Sequence, residues 1–335
     1  MRTLKLLSML LTALSLCSVA SARSEPLKIR VGWIVPVTNL APILFAKQGI
    51  AKRYGQSYIL DTIRFQGSTP QISALANGEL DLALLGFTSM PLAIENAGMN
   101  DLRAIFSELQ DGTPGYYSNE FMVLADGPVR KVEDLKGKVL ATNALGSAVD
   151  IAMRAMLRRS KLEDKRDYTV VEAPFPTMRA MLADRKVDLV PGVPPFSTHP
   201  EMRKLGRTLF TQADAIGVGE LGLWVAREDF IRKNRVALVD FLEDYLRSVR
   251  FYTNPANHKE AVDIAANFSK LPAAVFDDWL FTKKDYYRDP NGQVDMKSVQ
   301  ATFDIQRELG FLKTNIDAGR YVDFTMIQEA GKRLN

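Results

Sequence analysis

Cysteine is nearly absent from this chain, histidine is scarce, and no long apolar run follows the first turns of sequence: the one cysteine is Cys17 and the two histidines are His199 and His258. The opening segment predicts a secretory leader. Arg2 and Lys5 precede an apolar run over residues 6–16, and Ala20-Ser21-Ala22 supplies the small residues of a cleavage site after Ala22. Cleavage there would remove Cys17, leaving no disulfide, no thiolate nucleophile and no cysteine metal site. Lipidation at Cys17 is the alternative, although a lipobox wants a small residue where Leu16 stands. No later stretch approaches the roughly 20 apolar residues of a transmembrane helix.

Charge of one sign is lacking too. Without Arg2 and Lys5 the chain carries 41 basic against 39 acidic side chains, which argues against a nucleic-acid surface. Catalytic fingerprints are equally sparse. His199 lies between Thr198 and Pro200, and His258 sits in the surface-like run Asn257-His258-Lys259-Glu260, so neither has a visible triad or metal partner. No Gly-x-Ser-x-Gly elbow, phosphate-binding loop or dinucleotide fingerprint falls between a strand and a helix. No cofactor and no metal are expected.

What is present is a repeat. Ala74-Leu75-Ala76-Asn77-Gly78-Glu79-Leu80-Asp81-Leu82 returns 107 positions later as Met181-Leu182-Ala183-Asp184-Arg185-Lys186-Val187-Asp188-Leu189. In both copies an amphipathic helix ends at a polar pair, and an apolar residue with an aspartate leads into a short apolar strand. The strands stop at Gly86-Phe87-Thr88-Ser89 and at Pro191-Gly192-Val193-Pro194-Pro195. Small or turn-forming residues at the carboxyl end of a strand mark the usual ligand edge of an open α/β sheet, and two such edges facing each other make a clamp.

The rest reads as alternating strands and helices. Strands are expected over residues 28–33, 58–65, 80–85, 102–107, 121–124, 139–142, 168–171 and 221–225. Leu40, Ile43, Leu44 and Phe45 have helical spacing, Thr69 stands where it could cap a helix opening at Pro70, and the C-terminal third is mainly helical. Residues 110–119 are too rich in turn formers for either period, which makes them the candidate crossover.

Leu75 to Leu82 before the turn at Gly86, Asp134-Leu135-Lys136-Gly137-Lys138 before a strand and Gly146-Ser147, and Leu223-Trp224-Val225-Ala226-Arg227-Glu228-Asp229-Phe230 together resemble periplasmic solute-binding proteins of the nitrate, taurine and alkanesulfonate class. The resemblance covers about residues 28–252. It implies an α/β, two-lobed Venus-flytrap fold with a helical C-terminal part, and a protein that carries solute to an ABC permease in the inner membrane and performs no chemistry. On this reading residues 1–22 are the signal peptide and residues 25–115 the first lobe, completed by residues 253–335. Residues 116–220 form the second lobe, and residues 221–252 a return strand and helix. The protein is expected to be a periplasmic monomer that binds a small organic anion and no nucleic acid. Val193 departs from the pattern, since taurine-type relatives often carry tryptophan there; its loss enlarges the pocket and suits a longer aliphatic or aromatic acid. Some pyrimidine-synthesis relatives, which serve thiamine precursor formation, are enzymes, so an enzyme on this fold remains open, as does an extracytoplasmic sensor.

An anionic ligand is argued from helix starts. Ser68-Thr69, Thr88-Ser89 and Gly146-Ser147 each combine unpaired backbone N–H groups with hydroxyls at a strand's carboxyl end, where the helix dipole adds about half a positive charge. The bland reading of Thr69, Ser89 and Ser147 is that they cap their own helices. Asn39 and Asn143 lie in the adjoining loops. Trp33, Phe87 and Phe175 are candidate apolar walls, with Val193 facing them. Glu172 is either an ordinary solvated strand-end residue or a partner for a ligand's cationic group.

Overall fold

A computed structural model describes residues 25–334. The expected leader, with Cys17 and the cleavage site, lies outside the described residues.

The two copies of the repeat do the same physical work. In the first, β1 (Leu27–Trp33) runs parallel to β2 (Tyr58–Arg64), and β3 (Ala83–Leu85) joins β1 through the Val31–Leu82 bridge. Asp81 accepts the Arg30 backbone N–H at 2.8 Å and pairs with the Arg30 guanidinium at 2.6 Å. In the second, β6 (Lys138–Thr142) runs parallel to β7 (Tyr168–Glu172), and β8 (Val190–Gly192) joins β6 through the Leu140–Leu189 bridge. There Asp188 accepts the Val139 N–H at 3.1 Å, and Lys138 lies 3.7 Å away. Each aspartate clips the entry of its strand to the neighbouring parallel strand, so the spacing of helix, aspartate and strand is kept.

An antiparallel strand completes each sheet. In the first, β10 (Gly219–Arg227) inserts between β3 and β4 (Leu102–Asp111), giving the order β2-β1-β3-β10-β4. In the second, β5 (Glu120–Leu124) lies between β8 and β9 (Gly206–Thr211), giving β7-β6-β8-β5-β9. Helices cover both sheets: α1 (Ser68–Ala76) and α2 (Ser89–Ala97) on the first, α3 (Ala148–Arg159) and α4 (Phe175–Ala183) on the second. Two short helices, α5 (Pro200–Leu205) and α6 (Gln212–Ile216), flank β9.

Local expectations differ from the structure in several places: strand 80–85 is shortened to Ala83–Leu85, and β9 was not among the expected strands. Residues 40–46 form successive turns, with Ile43 N–H on the Leu40 carbonyl at 2.8 Å and Ala46 N–H on that of Ile43 at 3.0 Å. Pro42 has no N–H to give a helix, yet Leu40, Ile43 and Leu44 are buried as their spacing requires. The α1 helix begins at Ser68, with extended Gly67 as its cap, so Thr69 sits inside the first turn and caps nothing. Strand β4 runs four residues further than its apolar run, to Asp111, because β10 pairs with it down to Gly219.

After β10 come α7 (Glu228–Tyr252), α8 (His258–Ser269), α9 (Met296–Glu308) and α10 (Thr325–Arg333), with irregular chain between α8 and α9. The α7 helix packs on β2, β10 and α10. Beneath it Trp224 stacks on Phe106 at 5.0 Å beside Phe241 and Tyr245.

The C-terminal segment also crosses to the second lobe. After α9 the Leu309 carbonyl accepts from Arg158 of α3, whose guanidinium lies 4.0 Å from the Phe311 ring. Glu95 of α2 receives Lys313 N–H at 3.0 Å and Thr314 N–H at 2.8 Å. Residues 309–314 thus strap α2 to α3. Arg158→Ala should loosen the strap by about 1 kcal/mol, the scale of one exposed cation–π contact. Small-angle scattering should then show an enlarged radius of gyration; an unchanged profile would show that the strap carries no load.

Candidate functional site

The carboxyl edges of the two sheets face each other and touch. Thr69 Oγ1 donates to the Leu145 carbonyl at 2.7 Å, Ser89 Oγ to the Gly146 carbonyl at 3.1 Å, and Thr38 Oγ1 to the Pro194 carbonyl at 2.7 Å. Gln66 and Asn143 exchange amide-to-carbonyl bonds of 2.6 and 2.8 Å. Two glycines permit the approach: a Cβ on Gly67 would meet Ala144 Cβ at 2.7 Å, and one on Gly86 would meet Ala148 Cβ at 2.6 Å.

Between the edges lies a cavity of about 60 Å³. A single water occupies roughly 10–15 Å³ of such space, so the cavity takes only a handful of non-hydrogen atoms. Ser68 at the start of α1, and Ser147, Ala148 and Val149 at the start of α3, reach it from opposite lobes. Asn39, Asn143, Phe175 and Val193 line it as well. Among the described residues no lining side chain is charged; the polar wall consists of hydroxyls and amides, and Ile34, Val35, Leu84, Leu109 and Leu221 supply the apolar wall.

The other candidates stand elsewhere. Thr69, Ser89 and Gly146 belong to the contacts between lobes; Ser89 lies inside α2, and Ser147 holds the N-cap position of α3 without a capping bond from its hydroxyl. Phe87 is fully buried, with its ring against Gly219 where a Cβ would come within 2.2 Å. Thr88 is buried with its hydroxyl unpartnered. Trp33 packs edge-on to Phe268 at 6.2 Å. Glu172 accepts the Leu145 N–H at 2.5 Å and so steadies the loop that meets α1.

Within the site the amides are committed. Asn39 Oδ1 accepts from Ile34 and Val35 N–H at 3.0 and 2.8 Å, and Asn39 Nδ2 points at Glu108, which also takes Leu40 N–H at 3.1 Å and Trp224 Nε1 at 2.9 Å. Burial raises the Glu108 carboxyl, with nearby Arg288 opposing it. Asn143 Oδ1 accepts the Ser147 hydroxyl at 2.8 Å, while Ser68 Oγ accepts Gly86 N–H at 3.2 Å and keeps its own hydrogen free. At the start of α3, buried Asp150 takes Gly146 N–H at 2.8 Å and pairs with Arg154 at 3.0 Å, so Arg154 offsets a carboxylate that would oppose an anion there.

Thr38, Asn119 and Tyr286 also line the cavity and were not among the candidates. Tyr286 donates to Asn119 Oδ1 at 2.5 Å, and Arg288 holds the Thr38 carbonyl at 2.6 Å. Tyr286 lies in the irregular run Asp285-Tyr286-Tyr287-Arg288-Asp289, far from either repeat, and nothing in that run ties it to Thr38 or Asn119.

Comparison with known proteins gives one family and one fold. The model of the NMT1-like family matches residues 22–266. No curated protein is found to match the chain. The alkanesulfonate-binding protein SsuA from Xanthomonas axonopodis pv. citri, bound to MOPS, superposes with a TM-score of 0.71 at 20% identity, covering 90% of this chain and 99% of that one. The periplasmic nitrate-binding protein NrtA from Synechocystis PCC 6803 gives 0.72 at 15% identity, covering 93% and 90%. The desulfurization enzyme DSZB gives 0.64 at 12% identity, covering 92% and 100%. At these identities the likeness is one of fold: the α/β periplasmic-binding-protein fold.

Proposed function

The chain belongs to the NMT1-like family, and from that premise we propose that it is the extracytoplasmic solute-binding component of an ABC importer, capturing a small organic anion, a sulfonate or carboxylate, between its lobes. The observation that carries this is the small cavity set between two helix N-termini from opposite lobes, with neutral donors and apolar walls. Helix N-termini favour an anion through aligned N–H groups and the dipole, and an uncharged wall lets a ligand enter and leave without breaking a buried ion pair. Likeness in fold to sulfonate- and nitrate-binding proteins supports the same reading. The domain boundaries, the cleaved leader and periplasmic location, the monomeric state and the inner-membrane permease partner given above belong to this proposal.

An enzyme such as DSZB shares the fold, but the lining residues offer chemistry little. Ser68 and Ser147 are bonded to a backbone N–H and an amide, with no base in reach. His199 accepts Glu201 N–H, and His258 meets the Asp277 carbonyl. A thermal-shift and turnover screen of sulfonates, aliphatic acids, aromatic carboxylates and nitrate tests the proposal. The cognate anion should stabilise the fold by about 2.7 kcal/mol at a hundred times its dissociation constant, without product. Turnover of any candidate, or no shift with any anion, would refute capture of an anion without chemistry.

The double variant Ser68→Ala, Ser147→Ala should weaken binding of that anion by about 1–2 kcal/mol through lost hydrogen bonds. Ser89→Ala should do less, because its hydroxyl spans the lobes and does not line the cavity. Calorimetry decides; equal losses in both would place the anion against α2.

A further inference from the structure

The cavity has a neighbour, and the two share a wall. Ile34 and Phe175 line the inner cavity of about 60 Å³, and the same two residues line an outer compartment of about 300 Å³. Arg64, Phe65 and Gln66 from the first lobe, and Pro174 and Pro176 from the second, complete the outer walls. Phe175 opens α4 with a proline on either side, which narrows the backbone freedom around it, and its ring lies nearly parallel to that of Phe196 with the centres 6.2 Å apart. At 8% exposure Phe175 is buried, and with Ile34 it forms the wall common to the two compartments.

Charge separates the compartments as sharply as size. Among the described residues no charged side chain lines the inner one, and Arg64 is the one charged residue lining the outer. Arg64 ends β2, and among the described residues no carboxylate pairs with it; its guanidinium lies 5.5 Å from the centre of the Trp33 ring. Apolar walls with one unpaired guanidinium complement an apolar linker that ends in an acid, since a planar guanidinium binds carboxylates and sulfonates through paired donors.

We infer that the outer compartment is a second subsite, which takes the distal acidic group of a two-headed ligand, with Arg64 as its recognition residue and Phe175 as the gate the linker passes. The inner cavity holds the first head, so this inference rests on the capture reading and narrows its ligand to α,ω-diacids and sulfocarboxylates.

Calorimetry on the full protein tests it with two probe series: alkane-1-sulfonates and monocarboxylates of three to six carbons, and their ω-carboxylated counterparts. At one chain length or more, the two-headed probe should bind at least tenfold tighter than its parent. Arg64→Gln should erase that advantage and leave the parent within twofold, and Phe175→Ala should move the advantage to a different chain length. Parents that bind with no advantage at any length would overturn the subsite alone, as would equal weakening of both series by Arg64→Gln. Failure of both series to bind the wild-type protein would overturn the capture of these acids together with the subsite.

Discussion

Gly86→Val is expected to weaken ligand binding at least a hundredfold while leaving unfolding of the ligand-free protein nearly unchanged. A Cβ at this position has its three nearest neighbours in one residue of the opposite lobe, Ala148, with the Cβ atoms 2.6 Å apart. The backbone of Gly86 is outside the left-handed region, so a side chain there meets no positive-φ penalty. The clash exists only when the lobes meet, and opening relieves it. Because both lobes supply donors to the cavity, the open form binds poorly, and affinity falls by the fraction of molecules able to close. A hundredfold loss is about 2.7 kcal/mol, within reach of inserting two methyl groups beyond an already overlapping Cβ. Calorimetry reads the affinity and scattering the opening. Wild-type affinity in this variant would mean that the lobes can shut by another path.

Raising the pH from 5 to 8 should destabilise the protein by several kcal/mol. Asp111 and Glu220 lie where β4 and β10 pass between the lobes, Asp111 opposite Gly219 and Glu220 opposite Gln110. Among the described residues no cation pairs with either. Asp111 accepts Ser118 Oγ at 2.6 Å and Asn119 N–H at 2.7 Å; Glu220 accepts Ser107 Oγ, Gln110 Nε2 at 2.8 Å and Asp295 N–H at 2.7 Å. Burial pushes Asp111 from 3.8 and Glu220 from 4.5, each to about 7. Between the unfolded values and 7 the folded chain therefore binds more protons than the unfolded one, so stability is full below the lower limit and is lost as pH rises through 7. At about 1.4 kcal/mol per pH unit, each acid contributes on the order of 3 kcal/mol. Asp150 and Asp285 are raised too, burial being the largest cause, but Arg154 and Arg288 oppose it. The double variant Asp111→Asn, Glu220→Gln should flatten the slope and gain stability at pH 8, because Ser118 and Ser107 can turn from donor to acceptor. Urea unfolding at both pH values measures this; an unaltered slope in the variant would assign the titration to other groups.

The sequence carried the doubled architecture because Asp81 and Asp188 each answer a backbone demand at the same point of a sheet, and such demands leave matching residues behind. It did not carry the insertion of β10, whose partners lie more than a hundred positions upstream. The spacing of Leu40, Ile43 and Leu44 spoke truly of burial and falsely of helix, since two tight turns around Pro42 generate the same intervals. At the site, strand ends located the edge but not the direction of each side chain. Ser68 and Ser147 point into the cavity, while Thr69 and Ser89 point across to the other lobe. Tyr286 and Asn119 were invisible because nothing local links the C-terminal segment to the crossover.

The strand orders also fix a sequence of assembly. Every strand of the second sheet falls between Glu120 and Thr211, whereas the first sheet lacks the strand that joins β3 to β4 until Gly219–Arg227 has been made. A chain that emerges N-terminus first can complete the second lobe while β3, paired only on its β1 side, and β4 still wait for β10. Edges left open in this way invite association with other chains, so the first half of the molecule is the part that needs a chaperone's shelter before its last third arrives.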